Sequence, residues 1–290
     1  MKPLIIVTSI ILFFFSLRAY AEITVIDDAG EVISLKQAAK RVISLSPGTT
    51  ELIFSAGGGH LIKGAVSYSD YPEAAKRIPQ IGSYNAVDLE KIVSLNPDLI
   101  IAWQSGNPPL QISKLKKMGL TVFISEPREL SDIPSSIKKF GILLATETTA
   151  DKAINKFNAR LNELTNKYTG KFKTKSVFIQ IWNTPIMSIN GQHLISKIVA
   201  NCNGRNIFTD YPQLTLTPSV ETVISANPDV IIASRQGNLG EKWLRQWRKW
   251  HFLSAVKKHR LFTANPDNLV RHTPRILNGM EEVCALINAN

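Results

Sequence analysis

The sequence predicts an α/β protein of two Rossmann-like lobes, each with a mostly parallel sheet, joined by one long rigid α-helix and enclosing a ligand cleft. Three observations predict it. The first is an internal repeat. Leu89–Ala102 reads LEKIVSLNPDLIIA and Val220–Ala233 reads VETVISANPDVIIA, with eight of the fourteen positions identical and the copies 131 residues apart. That period is too long for a solenoid unit and implies two similarly built lobes, whose junction is a preferred ligand site. Both copies run on to a Gly-Asn pair, Gly106-Asn107 and Gly237-Asn238. The second observation is the alternation of short β-rich runs with helical segments, the pattern of parallel sheets covered on both faces. The third is a single long amphipathic segment between the two halves.

Taken in order, residues 1–21 read as a secretory signal. Lys2 is followed by an almost wholly apolar run from Leu4 to Leu17, and Ala19-Tyr20-Ala21 supplies small residues for the peptidase, with cleavage before Glu22. The apolar run is too short to span a bilayer comfortably. No cysteine stands near the cut, so no lipid anchor is expected there. An exported, unanchored product needs an outer envelope to retain it, and the Gram-negative periplasm is the expected compartment.

Residues 22–147 form the expected first lobe. Arg41–Leu45 is a short strand ending at Ser46-Pro47-Gly48, and Thr49 or Thr50 caps a helix running from Glu51 to about Ala56, which the glycines 57–59 end. Ile62–Val66 is the next strand. Asp88 caps a helix from Leu89 to about Leu95, and Asn96-Pro97-Asp98 turns into the strand Leu99–Ala102. A helix over Leu110–Met118 and a strand over Thr121–Ile124 follow.

Residues 148–170 form the linking helix, capped by Thr148 or Thr149 and ended by Gly170. Ala150, Ile154, Phe157, Leu161, Leu164 and Tyr168 recur at spacings of three and four, one apolar stripe on a helix roughly 30 Å long. Such a stripe reads as a coiled-coil seam or, with a lobe on each side, as a strut packed along both. The strut is the expected reading, and it restricts hinge motion. Residues 171–290 repeat the rhythm, with strands over Ser176–Ile181, Val230–Ala233 and Leu261–Thr263 and helices over His193–Ala200, Glu221–Ala226 and Pro274–Ile287.

Composition narrows the function classes. The formal net charge is +11, and +9 once Lys2 and Arg18 of the signal are removed. A basic surface raises nucleic acid and anionic membrane as partners, and export argues against nucleic acid. Cys202 and Cys284 are the only cysteines, and an even count in an oxidising compartment favours a disulfide over the alternative of two buried thiols. His60, His193, His251, His259 and His272 show no metal-ligand spacing, and His272 beside Arg271 is the one of them with a minor reading as a group approaching a bound metal. No metal site and no resident cofactor are expected. The absence of a nucleophile elbow, phosphate loop or paired-acid motif leaves an enzyme only the cleft in its favour. Trp243, Trp247 and Trp250, set among Lys242, Arg245, Arg248 and Lys249, read either as a membrane-surface helix or as a stripe packed on its own lobe, the expected case.

Two segments carry a resemblance. SYSDYP at Ser67–Pro72, preceded by RVISLSP and followed by LEKIVSLNPDLIIAW, is similar to the periplasmic cobalamin-binding proteins that feed ATP-binding cassette importers. These belong to the helix-linked class of substrate-binding proteins, which carry siderophores, haem and corrinoids. The similarity covers essentially the whole mature chain. It implies a monomeric, non-enzymatic carrier of a corrinoid, with a membrane permease dimer as its second partner. The runner-up is a haem or ferric-siderophore carrier of the same class. An envelope enzyme acting in the cleft, or an interaction module without a small ligand, would be of a different class.

The resemblance also implies roles for residues. Tyr68, Tyr84 and Trp103 sit just past strand ends, where ligand loops cluster, and match positions lining the corrinoid pocket, with Tyr84 replacing a tryptophan. Asp267 and Arg271 match a ligand-contacting loop, where an arginine donates to amide or phosphate oxygens. Asn268 and Thr215 stand at or near positions expected to be tryptophan, which predicts a less aromatic second-lobe wall. Glu90 and Glu221 are equivalent in the repeat, and each opens a helix, where a carboxylate favours the positive dipole end. In the family, glutamates at these positions meet arginines of a two-fold importer. The cysteine pair matches the family's second-lobe disulfide.

Overall fold

The protein is described by a computed structural model covering residues 22–234 and 239–289. The expected signal segment and the Gly237-Asn238 pair lie outside the described residues. The first lobe is built on β1 (Val42–Ser44), β2 (Ile62–Ala65), β3 (Leu99–Trp103) and β4 (Val122–Ser125). All four are parallel and lie in the order β2-β1-β3-β4. The second lobe uses β5 (Lys175–Gln180), β6 (Gly204–Asn206), β7 (Val230–Ser234) and β8 (Leu261–Ala264), again parallel, in the order β6-β5-β7-β8. The two orders are the same permutation, so the repeat read from sequence is a repeat of topology. The third strand of each lobe is the NPD-strand of the repeat. It is buried over Leu99–Ala102 and over Val230–Ala233, as a parallel sheet covered on both faces requires.

Helices cover those faces. In chain order they are α1 (Pro47–Ser55), α2 (Leu89–Ser94), α3 (Pro109–Lys117), α4 (Asp132–Leu144), α5 (Glu147–Tyr168), α6 (Leu194–Asn201), α7 (Val220–Ala226), α8 (Leu239–Arg248), α9 (Ser254–Lys257) and α10 (Ile276–Asn288). Helix α5 connects the two sheets. Its Ala150, Phe157, Leu164 and Tyr168 are buried, and Ile154 and Leu161 pack against the same core. That core is continuous from Val42 and Phe140 of the first lobe through Phe157 and Leu164 to Ile198 and Val283 of the second. A linker whose apolar stripe belongs to a core shared by both lobes is a strut, because bending it would expose that stripe. The outer sheet faces are filled separately, by residues such as Ile100 and Leu115 in the first lobe and Phe178 and Leu244 in the second.

Several elements differ from the sequence expectation. Helix α1 starts at Pro47 rather than Glu51. Ser46 is its cap, its Oγ accepting from Thr49 N at 3.0 Å while Thr49 Oγ1 accepts from Ser46 N at 3.1 Å. This reciprocal box and a proline in the first turn outcompete the later threonines. Helix α5 starts at Glu147, and Thr148 and Thr149 lie inside its first turn without capping it. The reason is α4, which was not read from the sequence. It ends on Ala145 with φ of +52°, and only Ala145 and Thr146 separate the two helices. An N-terminal hairpin, Ile23–Ile26 with Val32–Leu35, was also not read. Among the described residues no helix is long and apolar enough to cross a membrane.

Cys202 at the end of α6 and Cys284 on α10 form a disulfide, with S–S 1.97 Å and Cα–Cα 4.6 Å. Trp243 and Trp247 are buried in the second lobe and Trp250 packs against them, so the tryptophan stripe serves its own lobe. The indole N–H of Trp247 donates to Gln180 Oε1 at 2.8 Å.

Candidate functional site

A cleft of about 510 Å³ opens between the lobes at the C-terminal ends of both sheets. Its first-lobe wall comes from the β1–α1 turn and the start of α1 (Ser46 to Thr49), from Tyr68, Tyr84 and Trp103, from Ser125 at the end of β4 and from Pro127 beyond it. Its second-lobe wall is Pro266, Asp267, Val270, Arg271 and His272, the segment that follows β8. The cleft therefore brings together all five residues singled out as ligand contacts. Its aromatic side chains Tyr68, Tyr84 and Trp103 are all on the first-lobe side. Thr215 is elsewhere, in a depression on the second lobe with Tyr211 and Leu216.

Local backbone chemistry sets each aromatic ring. Tyr68 has φ of +65° and is 76% exposed. A left-handed tyrosine costs about 1 kcal/mol or more, so neighbouring bonds must impose it. Ser67 N and Oγ both donate to Gly82 O, at 2.8 and 3.0 Å. On the other side Thr50 Oγ1 donates to Ser69 Oγ at 3.1 Å. The Tyr68 loop is thus pinned on both flanks while its ring stays in solvent.

Trp103 and Tyr84 are placed by Gly106 and Asn107, the pair that closes the first repeat. Asn107 is buried, and its Oδ1 accepts from Trp103 N at 2.6 Å. Its Nδ2 donates to Tyr84 O at 2.7 Å and to Leu45 O at 2.9 Å. One amide thereby ties the ends of β1 and β3 to the Tyr84 loop. A Cβ on Gly106 would lie 1.8 Å from the Trp103 ring, so only glycine lets the indole fold back over this turn. The two rings meet at 5.9 Å between centroids, tilted by 52°.

The second-lobe wall is charged, and its charges are engaged across the cleft. Glu51 of α1 is only 3% exposed. Its carboxylate accepts from Arg271 Nη1 at 3.1 Å, Thr273 Oγ1 at 2.8 Å and Arg275 Nε at 2.9 Å, all from the second lobe. Arg271 Nη1 also donates to Asp70 Oδ1 at 2.7 Å, and Nη2 pairs with Asp267 at 3.2 Å. The Arg275 guanidinium stacks 4.1 Å from the Tyr71 ring. Burial pushes the Asp70 carboxyl up, but the hydrogen bond and charge of Arg271 outweigh it and hold the group below the usual carboxylate range. Arg271 is therefore a bridge between lobes as well as a wall of the cleft. Glu51, Asp70 and Arg275 were not found in the sequence, although a lone carboxylate in the otherwise uncharged α1 was the available signal.

His272 closes the far end of this wall. Its Nδ1 lies 2.7 Å from Pro127 O across the lobes, a contact that requires the proton on Nδ1 and leaves Nε2 as the acceptor. The His193 ring stands 6.0 Å away and caps α6 through Nδ1, which accepts from Ile195 N. Burial, then the neighbouring His272, pushes His193 down to about 4, and burial lowers His272 as well. Beside them Lys197 of α6 pairs with Glu129 of the first lobe.

Glu90 and Glu221 do not line the cleft. Each is exposed in the first turn of its helix, α2 capped by Asp88 and α7 capped by Ser219. The backbone N–H of Glu221 and the Ser219 hydroxyl lower the Glu221 carboxyl. Because α2 and α7 each precede the third strand of their sheet and run antiparallel to it, both glutamates sit at the cleft end of their lobes.

Two lobes with parallel sheets of the same strand order, a strut helix and an interlobe cleft define a helix-linked substrate-binding protein. The chain belongs to the periplasmic binding protein family, which matches residues 42–268. It is 35% identical over 254 residues to the vitamin B12-binding protein of Vibrio cholerae serotype O1, covering 86% of this chain and 89% of that one. The crystal structure of the periplasmic vitamin B12 binding protein of Vibrio cholerae superimposes with a TM-score of 0.80 at 34% identity, over 86% of this chain and 96% of that one. A periplasmic haem-binding protein from Roseiflexus sp. RS-1 shares the fold at a TM-score of 0.74 and 22% identity, over 86% and 98% of the two chains.

Proposed function

We propose that this protein is a periplasmic carrier that captures cobalamin or a related corrinoid and delivers it to an ATP-binding cassette importer, without catalysing a reaction. The observation that carries this reading is the cleft itself. Three aromatic rings of the first lobe face a second-lobe wall of Asp267, Arg271 and His272. A corrinoid has a flat apolar ring surrounded by amide arms. Aromatic surfaces suit the ring face, and the polar wall suits the arms. The similarity to vitamin B12-binding proteins over most of the chain supports the same ligand class. On this reading Arg271 uses the part of its guanidinium not engaged by Glu51, Asp70 and Asp267, and the ligand is the transported cargo rather than a cofactor.

Titration of the purified protein with cyanocobalamin, haemin and a ferric siderophore tests the proposal. One cyanocobalamin per chain is expected by calorimetry, with quenching of tryptophan fluorescence. Absence of heat and of quenching at tens of micromolar cyanocobalamin would sink it, and a Soret shift with haemin alone would move the protein to the haem carriers. Trp103→Ala is expected to weaken binding by about 1–3 kcal/mol, the loss of a central aromatic contact.

Delivery rests on Glu90 and Glu221. They are exposed, one on each lobe, at the same end of the molecule, and so are arranged for a partner with two-fold symmetry. Reversing both, Glu90→Lys with Glu221→Lys, should leave cyanocobalamin affinity unchanged. It should weaken the complex with the importer, most strongly at low salt, since exposed charges act through screened attraction. Reconstituted uptake measures this, and normal uptake by the double variant would remove the docking role.

A further inference from the structure

The end of the second lobe opposite the cleft concentrates the positive charge of the molecule. All strands of the second sheet are parallel, so their N-terminal ends share one edge, roughly 17 Å from the cleft end for strands of about five residues. Lys171, Lys173 and Lys175 lead into β5, and Lys257, Lys258 and Arg260 lead into β8. Helix α8 returns from the cleft end to the same edge and finishes at Arg248, with Lys249 the next residue. Among the described residues two carboxylates pair with these cations, Asp229 with Lys258 at 3.1 Å and Glu241 with Arg248 at 3.5 Å, while Lys175 Nζ donates to Ile287 O at 2.5 Å and Ala289 O at 3.2 Å. The excess is felt locally. Burial, then the charge of Arg260, lowers the Lys175 ammonium, and Lys258 adds to this while Asp229 opposes it. Arg260 Nε is buried without a hydrogen-bond partner. A groove of about 470 Å³ opens here, lined by Arg248, His251, Val256, Lys257, His259 and Leu261.

Two large apolar side chains project among these cations. Phe172 is 48% exposed between Lys171 and Lys173, and Phe252 is 55% exposed beside His251. Aromatic rings left in water and flanked by long cationic side chains have the chemistry of an interfacial anchor. The rings enter the headgroup boundary while ammonium and guanidinium groups meet phosphate. A soluble acidic partner would account for the charges but not for two exposed phenyl rings.

We propose that this basic end of the second lobe is a docking surface for the phosphate headgroups of an anionic bilayer, separate from the ligand cleft. A carrier held this way turns its cleft, Glu90 and Glu221 away from the lipid. Attachment to a bilayer and docking to a permease in that same bilayer are then mutually exclusive states.

The test is sedimentation of the full chain with vesicles of phosphatidylcholine alone or containing about one-third phosphatidylglycerol. Binding is expected only to the anionic vesicles, with loss in high salt and a blue shift of tryptophan emission as Trp250 and its surroundings leave water. A variant carrying Lys171→Glu, Lys173→Glu and Lys257→Glu should partition at least about tenfold less. Phe252→Ser should also reduce partitioning. A control with the same charge change on the first lobe, Lys36→Glu, Lys114→Glu and Lys117→Glu, should lose much less. Circular dichroism and thermal melting establish that each variant is folded. Failure to bind anionic vesicles, equal losses in the two triple variants, or binding to soluble polyglutamate in place of vesicles would each overturn the proposal.

Discussion

Glu51→Ala is expected to destabilise the protein by about 3 kcal/mol or more, although position 51 contributes no apolar surface to the core. The carboxylate is almost fully buried in α1 and accepts hydrogen bonds from Arg271, Thr273 and Arg275. Removing one partner of a buried ion pair leaves the other charges desolvated and unpaired, which costs about 3–5 kcal/mol. Arg271 and Arg275 keep some exposure, at 12% and 18%, so the lower part of that range applies. The expected result is a lower denaturant midpoint, together with a broader distribution of lobe separations in small-angle scattering, because the bonds lost join the two lobes. Glu51→Gln, which keeps the shape and one acceptor oxygen, should lie between the two. A Glu51→Ala variant within about 0.5 kcal/mol of wild type would show that these bonds contribute no net stability.

Loss of the disulfide is the second large effect. Cys202 and Cys284 are 82 residues apart in sequence and fully buried, and they join the end of α6 to α10. Closing a loop of that length removes unfolded-state entropy equivalent to about 4.5 kcal/mol in the chain-entropy account. Cys202→Ala with Cys284→Ala, or reduction under native conditions, should lower unfolding free energy by about 2–5 kcal/mol. The cleft lies at the other end of the sheet, so cyanocobalamin affinity measured well below the melting point should stay close to that of the oxidised protein. An unchanged denaturation curve after complete reduction would refute the expectation.

These two cases mark the limit of what could be read from residues alone. The cysteine pair was legible because a chain with only two cysteines and an expected oxidising compartment leaves few arrangements. The repeat, with its NPD turn and buried strand, was legible because a parallel strand covered on both faces must be continuously apolar. Tyr68, Tyr84 and Trp103 were legible as a group only through a family resemblance, since an aromatic past a strand end is as readily core as contact. Glu51 was missed for a physical reason. Its partners Arg271, Thr273 and Arg275 are more than two hundred residues away, and no local pattern distinguishes a buried carboxylate awaiting two arginines from one facing solvent.

The start of α1 carries the same lesson at short range. The sequence offers Thr49 or Thr50 as the cap and places Ser46 in the turn that ends the strand. The choice fell to Ser46 because its hydroxyl and that of Thr49 satisfy each other's backbone N–H groups next to a proline that pre-sets the first turn. The missed α4 moved the start of the linking helix in the same way, by leaving only two residues between helices.

The sequence by itself determined the α/β class, the two-lobe repeat, the strut with its apolar stripe and the cysteine pair. Each of these rests on periodicity, composition or covalent parity, which are properties of the chain before it folds. The tertiary structure decided how the second-lobe arginines are used, which residue holds the lobes together and where the positive charge gathers. Those outcomes depend on long-range pairing and on burial. A guanidinium is a ligand donor or an interlobe bridge according to which carboxylates the fold sets against it.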